Sequence, residues 1–301
     1  MTSPSIVTRI ALGCAAALAL AASPARAGEP IDKRAAADPT GSVEISNVAG
    51  TVNVSGWDRN EVHVTGELGE GVERLEFTTV DKVTRVKVVL PDRSYNVEDT
   101  DLTVMVPARS RVSVNTVSAD TNLTGVTGAQ RLQSVSGNLI TTAGSEDVEC
   151  KTVSGDVSVE GSGQKGLLTI TTVSGDASAL KVAGEVNANT VSGDLVLGLG
   201  ETQRSRLRST SGDVVLATRL VPDSRFDVES ISGDVRVSLH GKIDAEFDVS
   251  SFSGEISNCF GPKPVSTSEY APGQELRFRE GQGTARIRIK TLNGDVNLCR
   301  K

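Results

Sequence analysis

The sequence predicts an all-β fold, a β-solenoid in the manner of a parallel β-helix, with stacked coils of about 18–21 residues and an N-terminal β cap. Three observations predict it. A Val-Ser-Gly-Asp-like motif recurs through most of the chain, and apolar columns keep their register on the motif's glycine although the spacing between copies varies. Aromatic residues make up only 3 % of the chain while glycine reaches 30 residues. Few aromatics mean a core assembled from many thin layers of small aliphatic side chains.

From the N-terminus, residues 1–27 read as a signal peptide: Arg9 supplies the positive start, Ile10 to Ala22 the apolar run, and Ala25-Arg26-Ala27 the small-x-small cleavage site. The run is shorter than the roughly 20 residues that a membrane-spanning helix needs, so no transmembrane segment is expected after cleavage. Cys14 falls inside the apolar run and goes with the discarded peptide. Losing Arg9 and Arg26 moves the formal charge from −7 to −9. So acidic a chain argues against nucleic acid, which needs a basic footprint. Residues 28–40 are expected to be a flexible leader. Residues 41–115 are expected to form the β cap and first coils, with alternating strands such as Glu61-Val62-His63-Val64 and an early degenerate repeat at Gly50.

Residues 116–301 carry the repeats. Glycines 137, 155, 175, 193, 212, 233, 254 and 294 follow one another at intervals near 20, except for a last step of 40. A first copy, Val117-Ser118-Ala119-Asp120, lacks the glycine. Five residues before the glycine stand Leu132, Cys150, Ile170, Ala188, Leu207, Val228, Val249 and Ile289. Position two after it is apolar in every copy and position four in most, and the two share a strand face. Three before it runs a Ser/Thr column. Ser-Gly-Asp is turn chemistry, in which glycine accepts positive φ and aspartate bonds nearby amides, so the motif marks a corner. Positions five and two before the glycine are both apolar and are expected to build the core, but they have opposite parity, which calls for a bend between them. No proline lies between Pro107 and Pro222, as expected where each coil's backbone donates to the next.

The 40-residue step contains an inserted loop near residues 260–274. Cys259 and Cys299 each lie five residues after their glycine. If those two coils stack directly, the Cα atoms fall about 4.8 Å apart and a disulfide forms. If the insertion builds a coil between them, no bond is possible. Cys150 reads as a small core residue.

The sharpest candidate for chemistry is the acidic ladder Asp156, Asp176, Asp194, Asp213, Asp234, Glu255 and Asp295. Stacked carboxylates repel unless solvated or bound by a cation, which makes calcium the one cofactor worth considering. The competing reading is a solvated turn aspartate, with no metal or other cofactor. Trp57, Tyr95 and Tyr270 are scattered, and no separate acid cluster offers the carboxylate pair of a glycosidase. Arg277, Arg279, Arg286 and Arg288 alternate along strands and are expected to face solvent, with a small basic docking patch as the alternative.

The repeated motif, the signal peptide and the closing Gly294-Asp295-Val296 resemble the bacterial putative adhesin family, over residues 41–299. The resemblance implies a β-solenoid outside the cytoplasm and supplies no catalytic residues. The expectation is therefore a non-enzymatic exported protein of the periplasm or cell surface, an adhesin-like binding or scaffolding module whose partner is an envelope protein or glycan. A calcium-binding structural β-roll and a carbohydrate-active β-helix enzyme are the alternatives.

Overall fold

A computed structural model describes residues 28–92, 97–268 and 271–301. The signal-peptide reading, Tyr95 and Tyr270 lie outside these residues. Among them every regular element is a strand. The first are β1 (Glu29–Ala36), β2 (Ser42–Asn47), β3 (Gly50–Trp57), β4 (Glu61–Leu68), β5 (Arg74–Val80), β6 (Val83–Val89) and β7 (Thr100–Pro107). Next come β8 (Arg111–Thr116), β9 (Asp120–Thr124), β10 (Gln130–Gln133), β11 (Leu139–Ala143), β12 (Val148–Lys151), β13 (Val157–Gly161) and β14 (Lys165–Thr171). Two long strands, β15 (Ala177–Thr190) and β16 (Leu195–Ser209), lead to β17 (Val214–Arg219), β18 (Arg225–Ser230), β19 (Val235–His240) and β20 (Ala245–Ser251). The chain closes with β21 (Ile256–Asn258), β22 (Val265–Ser268), β23 (Ala271–Glu280), β24 (Ala285–Thr291) and β25 (Val296–Arg300).

Each coil contributes one strand before its motif and one after, and the two kinds form two parallel runs around the core. The leading run is β6–β2–β8–β10–β12–β14–β15–β16–β18–β24–β20. The trailing run is β7–β3–β9–β11–β13–β15–β16–β17–β19–β25–β21. β15 and β16 belong to both. β15 bends from one run into the other through register shifts between Leu180 and Glu185, where Lys181 and Gly184 take φ of 57° and 99°.

Coil order departs from chain order at both ends. The β2–β3 coil lies between β6–β7 and β8–β9, and the final β24–β25 coil is inserted between β18–β19 and β20–β21. Antiparallel strands then cover the exposed edges. β5 pairs with β6, β4 pairs with β7, and β23 with β22 closes over β20. Covering matters because an open edge of unpaired backbone groups templates aggregation. The leader expected to be flexible is part of this cap: β1 pairs antiparallel with β4 from Glu29↔Leu68 to Ala36↔Glu61. Ile31, buried at 7 % exposure, anchors this strand on the core.

The core follows the columns. Leu132, Cys150, Ile170, Ala188, Leu207, Val228, Val249 and Ile289 are all buried, as are Leu139, Val157, Ala177, Leu195, Val214, Val235, Ile256 and Val296. Each inward Val, Leu or Ile adds about 1.5–3 kcal/mol on burial, so stabilisation is spread along the stack. The expected bend is at the motif itself: the valine and serine are two consecutive outward residues, after which parity flips. The apolar residue two before the glycine is thus not in the core, and the assumption that it lines the core is corrected.

Candidate functional site

The motif copies build one continuous edge, and each position has a separate physical task. From Ser134 to Ser251 the Ser/Thr hydroxyl accepts from the glycine amide of its own corner, whereas Thr291 Oγ1 is buried without a partner. Thr172 Oγ1 accepts from the Gly175 amide (3.0 Å) and donates to the Gly175 carbonyl (2.9 Å). Ser209 with Gly212 and Ser230 with Gly233 repeat both bonds. A buried hydroxyl costs stability unless bonded in this way.

The glycine's task is close approach. None of the motif glycines from Gly137 to Gly294 has positive φ, which corrects the turn-conformation reading. A Cβ on Gly175 would sit 1.9 Å from Gly155 O, one on Gly193 2.0 Å from Gly175 O, and one on Gly233 2.0 Å from Gly212 O. The coils touch backbone to backbone there, and no side chain fits.

The acidic column is a staircase of backbone bonds. The amide of Asp176 donates to Asp156 Oδ1 (2.9 Å), that of Asp194 to Asp176 (2.8 Å), that of Asp213 to Asp194 (2.8 Å) and that of Asp234 to Asp213 (2.9 Å). It continues through Asp295 on Asp234 (3.0 Å) to Glu255 on Asp295 (2.8 Å), tracing the inverted coil order. Asn138 fills one step without a charge, accepting from Asp156 at 2.9 Å. The step therefore needs the oxygen, not the negative charge. Asp194→Asn is expected to leave thermal stability within about 0.5 kcal/mol of the parent, whereas Asp194→Ala loses about 1 kcal/mol with the bond. Equal losses in calorimetry would remove this role. Asp213 also takes Arg236 on its second oxygen (2.8 Å), and that bond chiefly holds its carboxyl below the usual range. A lowered folded value means the contribution is full above the unfolded pKa of about 4 and fades as pH falls through the folded one.

Beside this staircase runs an apolar ridge. Val117, Val135, Val153, Val173, Val191, Ile231, Leu292 and Phe252 are 40–62 % exposed. Thr210 continues the row, because each residue's carbonyl accepts the following coil's Ser or Asn amide, from Ser136 on Val117 to Ser253 on Leu292. A strand spacing of about 4.8 Å makes the ridge about 38 Å long. The sequence expectation placed this position inward; its opposite parity was the available signal.

Other candidates resolve individually. Trp57 has His63 stacked at 6.2 Å and the Arg59 guanidinium 5.1 Å from its ring centroid. With neighbours in both contacts, it is poorly placed as an open sugar platform. Cys150 is fully buried, and burial pushes its thiol up to about 12. It is expected to resist iodoacetamide in the native protein and react only after unfolding; rapid native labelling, read by mass spectrometry, would contradict this. Cys259 and Cys299 are joined, with Cα atoms 4.9 Å apart, because β21 and β25 stack directly and the insertion goes into the β22–β23 hairpin. Among the described residues no group of three or more His, Cys, Asp or Glu side chains is arranged to hold a metal ion. On a rung that accepts an amide only the second oxygen remains, and on Asp213 and Asp234 Arg236 takes that one too, against the six to eight ligands that calcium takes. No helix of the described residues is long and apolar enough to cross a membrane.

These features define a class: a two-sheeted β-solenoid whose recurring motif is spent on one continuous corner edge. The chain belongs to the Toastrack DUF4097 family, whose model matches residues 42–299. No curated protein matches it. Among solved structures it is similar to a putative adhesin from Bacteroides fragilis NCTC 9343, at 11 % identity, 91 % of this chain, 97 % of that one and a TM-score of 0.42. It is also similar to a putative adhesin from Parabacteroides distasonis ATCC 8503, at 12 % identity, 89 % and 97 % coverage and a TM-score of 0.34. Likenesses this distant carry no function across.

Proposed function

We propose that this chain is a non-enzymatic, exported module of the bacterial envelope or surface, adhesin-like, that binds or scaffolds a partner along its motif edge. The observation that carries the reading is the exposed ridge from Val117 to Phe252 beside the carboxylate staircase. An extended row of apolar side chains flanked by polar ones is the composition of a protein interaction surface. It is shallow and long, which suits an elongated envelope partner better than a small substrate. The staircase supports a structural use of the acids, since the carboxylates of Asp156, Asp176, Asp194, Asp213, Asp234 and Asp295 each accept the next coil's amide.

Cell fractionation combined with adsorption to isolated envelopes tests this. The parent is expected outside the cytoplasm and bound to envelope material. Val153→Lys with Val173→Lys, at 45 % and 40 % exposed positions, should fold normally and lose most of the binding. Retained binding by that variant would remove the ridge from the proposal. Sugar release from envelope polysaccharide would favour the enzyme, and a rise in Tm with millimolar calcium the calcium-bound β-roll.

A further inference from the structure

The leading sheet presents outward rows of residues that run across its strands. In the row through Arg225 the residues stand in the order Glu185, Arg204, Arg225, Arg286, Glu246, fixed by strand register. Three arginines are therefore adjacent with no acid between them. The outer two lean on the ends of the row: Arg204 lies 3.8 Å from Glu185, and Arg286 lies 3.1 Å from Glu246. Arg225 makes no ion pair among the described residues and has an arginine on either side. Like charges directly opposite in a sheet are destabilising. The parallel row through Asp227 has no such excess, because it alternates Arg206, Asp227, Arg288, Asp248 and Arg277. All this lies on a chain of net charge −7. The arginine row also borders a groove of 810 Å³, in which Arg225, Arg277, Arg279, Arg286 and Arg288 outnumber the acids Asp227, Glu246 and Asp248, beside Phe278.

We propose that this row, at the margin of the groove, is a binding site for a linear anionic polysaccharide whose carboxylates follow Arg204, Arg225 and Arg286. The guanidinium fork matches a carboxylate bidentately, and an anion laid over Arg225 relieves the repulsion that the fold leaves there. The acid-free track is one residue wide and three strands long, which fits a chain of charges. A flat anionic bilayer would press its charge equally on Asp227, Glu246 and Asp248. The apolar edge of Phe278 beside the cations suits a ligand that offers sugar C–H surface along with charge. The site shares no residue with the motif ridge, so either can fail without the other.

The test is a titration of the full chain with polygalacturonate, with dextran as the uncharged control, vesicles of phosphatidylcholine and phosphatidylglycerol as the lipid arm, and sedimentation for self-association. Polygalacturonate is expected to bind and dextran not to. Binding should weaken by roughly tenfold or more between about 50 and 500 mM salt, where screening shortens the reach of charge. Arg225→Gln with Arg286→Gln should cost at least about tenfold in affinity, with circular dichroism unchanged. Arg225→Lys should recover part of it, while Arg131→Gln, on the same sheet but outside the row, should bind as the parent does. The proposal is overturned by absence of binding at low salt, by equal weakening in Arg131→Gln, by preference for vesicles over polygalacturonate, or by salt-sensitive self-association that polygalacturonate does not compete with.

Discussion

Gly193→Ala is expected to destabilise the protein by roughly 3 kcal/mol, at the upper end of what one added methyl does in a packed site. The new Cβ would lie 2.0 Å from Gly175 O and 2.5 Å from its carbonyl carbon. Both are backbone atoms, so no rotamer change can relieve the clash. They are also fixed on either side, by the Ser192 amide on Val173 O (2.8 Å) and the Asp194 amide on Asp176 Oδ1 (2.8 Å). Moving one coil away stretches both ladders. Gly144→Ala is the control: no atom lies within 4 Å of its added Cβ and its φ is not positive. That variant should stay within about 0.5 kcal/mol of the parent. Urea unfolding of the two variants side by side reads the contrast, and hydrogen exchange should show protection lost first in the coils on either side of Gly193. Matching midpoints for the two variants would mean that the coils are not in backbone contact at the motif.

Removing the disulfide, as Cys259→Ser with Cys299→Ser, is expected to cost about 4 kcal/mol for a closed loop of this length on chain-entropy grounds, the separation being 40 residues. The loss should be local. The bond ties β21, the three-residue outer edge of the trailing run, to β25, which is inserted one coil further in. Without it the β20–β25 region holds its inverted order by strand pairing, by the cluster of Phe247, Phe260 and Phe278 rings, and by polar links such as Glu255 N–H to Asp295 and Arg286 to Glu246. Thermal unfolding followed by limited proteolysis should therefore show cleavage in residues 245–301 before the central coils open. A double variant with the parent's Tm and digestion pattern would show that the cross-link adds nothing to the folded end.

Much of the architecture is legible in the chain because a solenoid writes its core once per coil. Ile170 and Leu207 announce the inward column by recurrence, and an inward residue needs only its own strand parity to be recognised. The pairing of Cys259 with Cys299 was legible only as a choice, since stacking direct or interrupted gives two geometries from one spacing. The candidate edge was less readable. Val153 and Ile170 are equally apolar, yet one projects from a corner and the other fills a strand interior. Hydropathy cannot separate them where two consecutive residues face outward. The arginine row was dispersed: Arg204, Arg225 and Arg286 are far apart in sequence, and only strand register makes them neighbours.

What the chain determined by itself is the local unit: a strand, a corner braced in most copies by a hydroxyl and closed from Gly137 onward by a glycine with no room for a side chain, and a second strand. Period-two alternation and backbone sterics act within a few residues and are recorded there. The tertiary structure alone decided the order in which units stack, with β2–β3 and β24–β25 each placed between coils that flank them in space and not in sequence. It also turned residues 29–36 into a capping strand. Those outcomes depend on which edges are left unpaired once the central coils have formed, and an edge is a property of the assembled sheet.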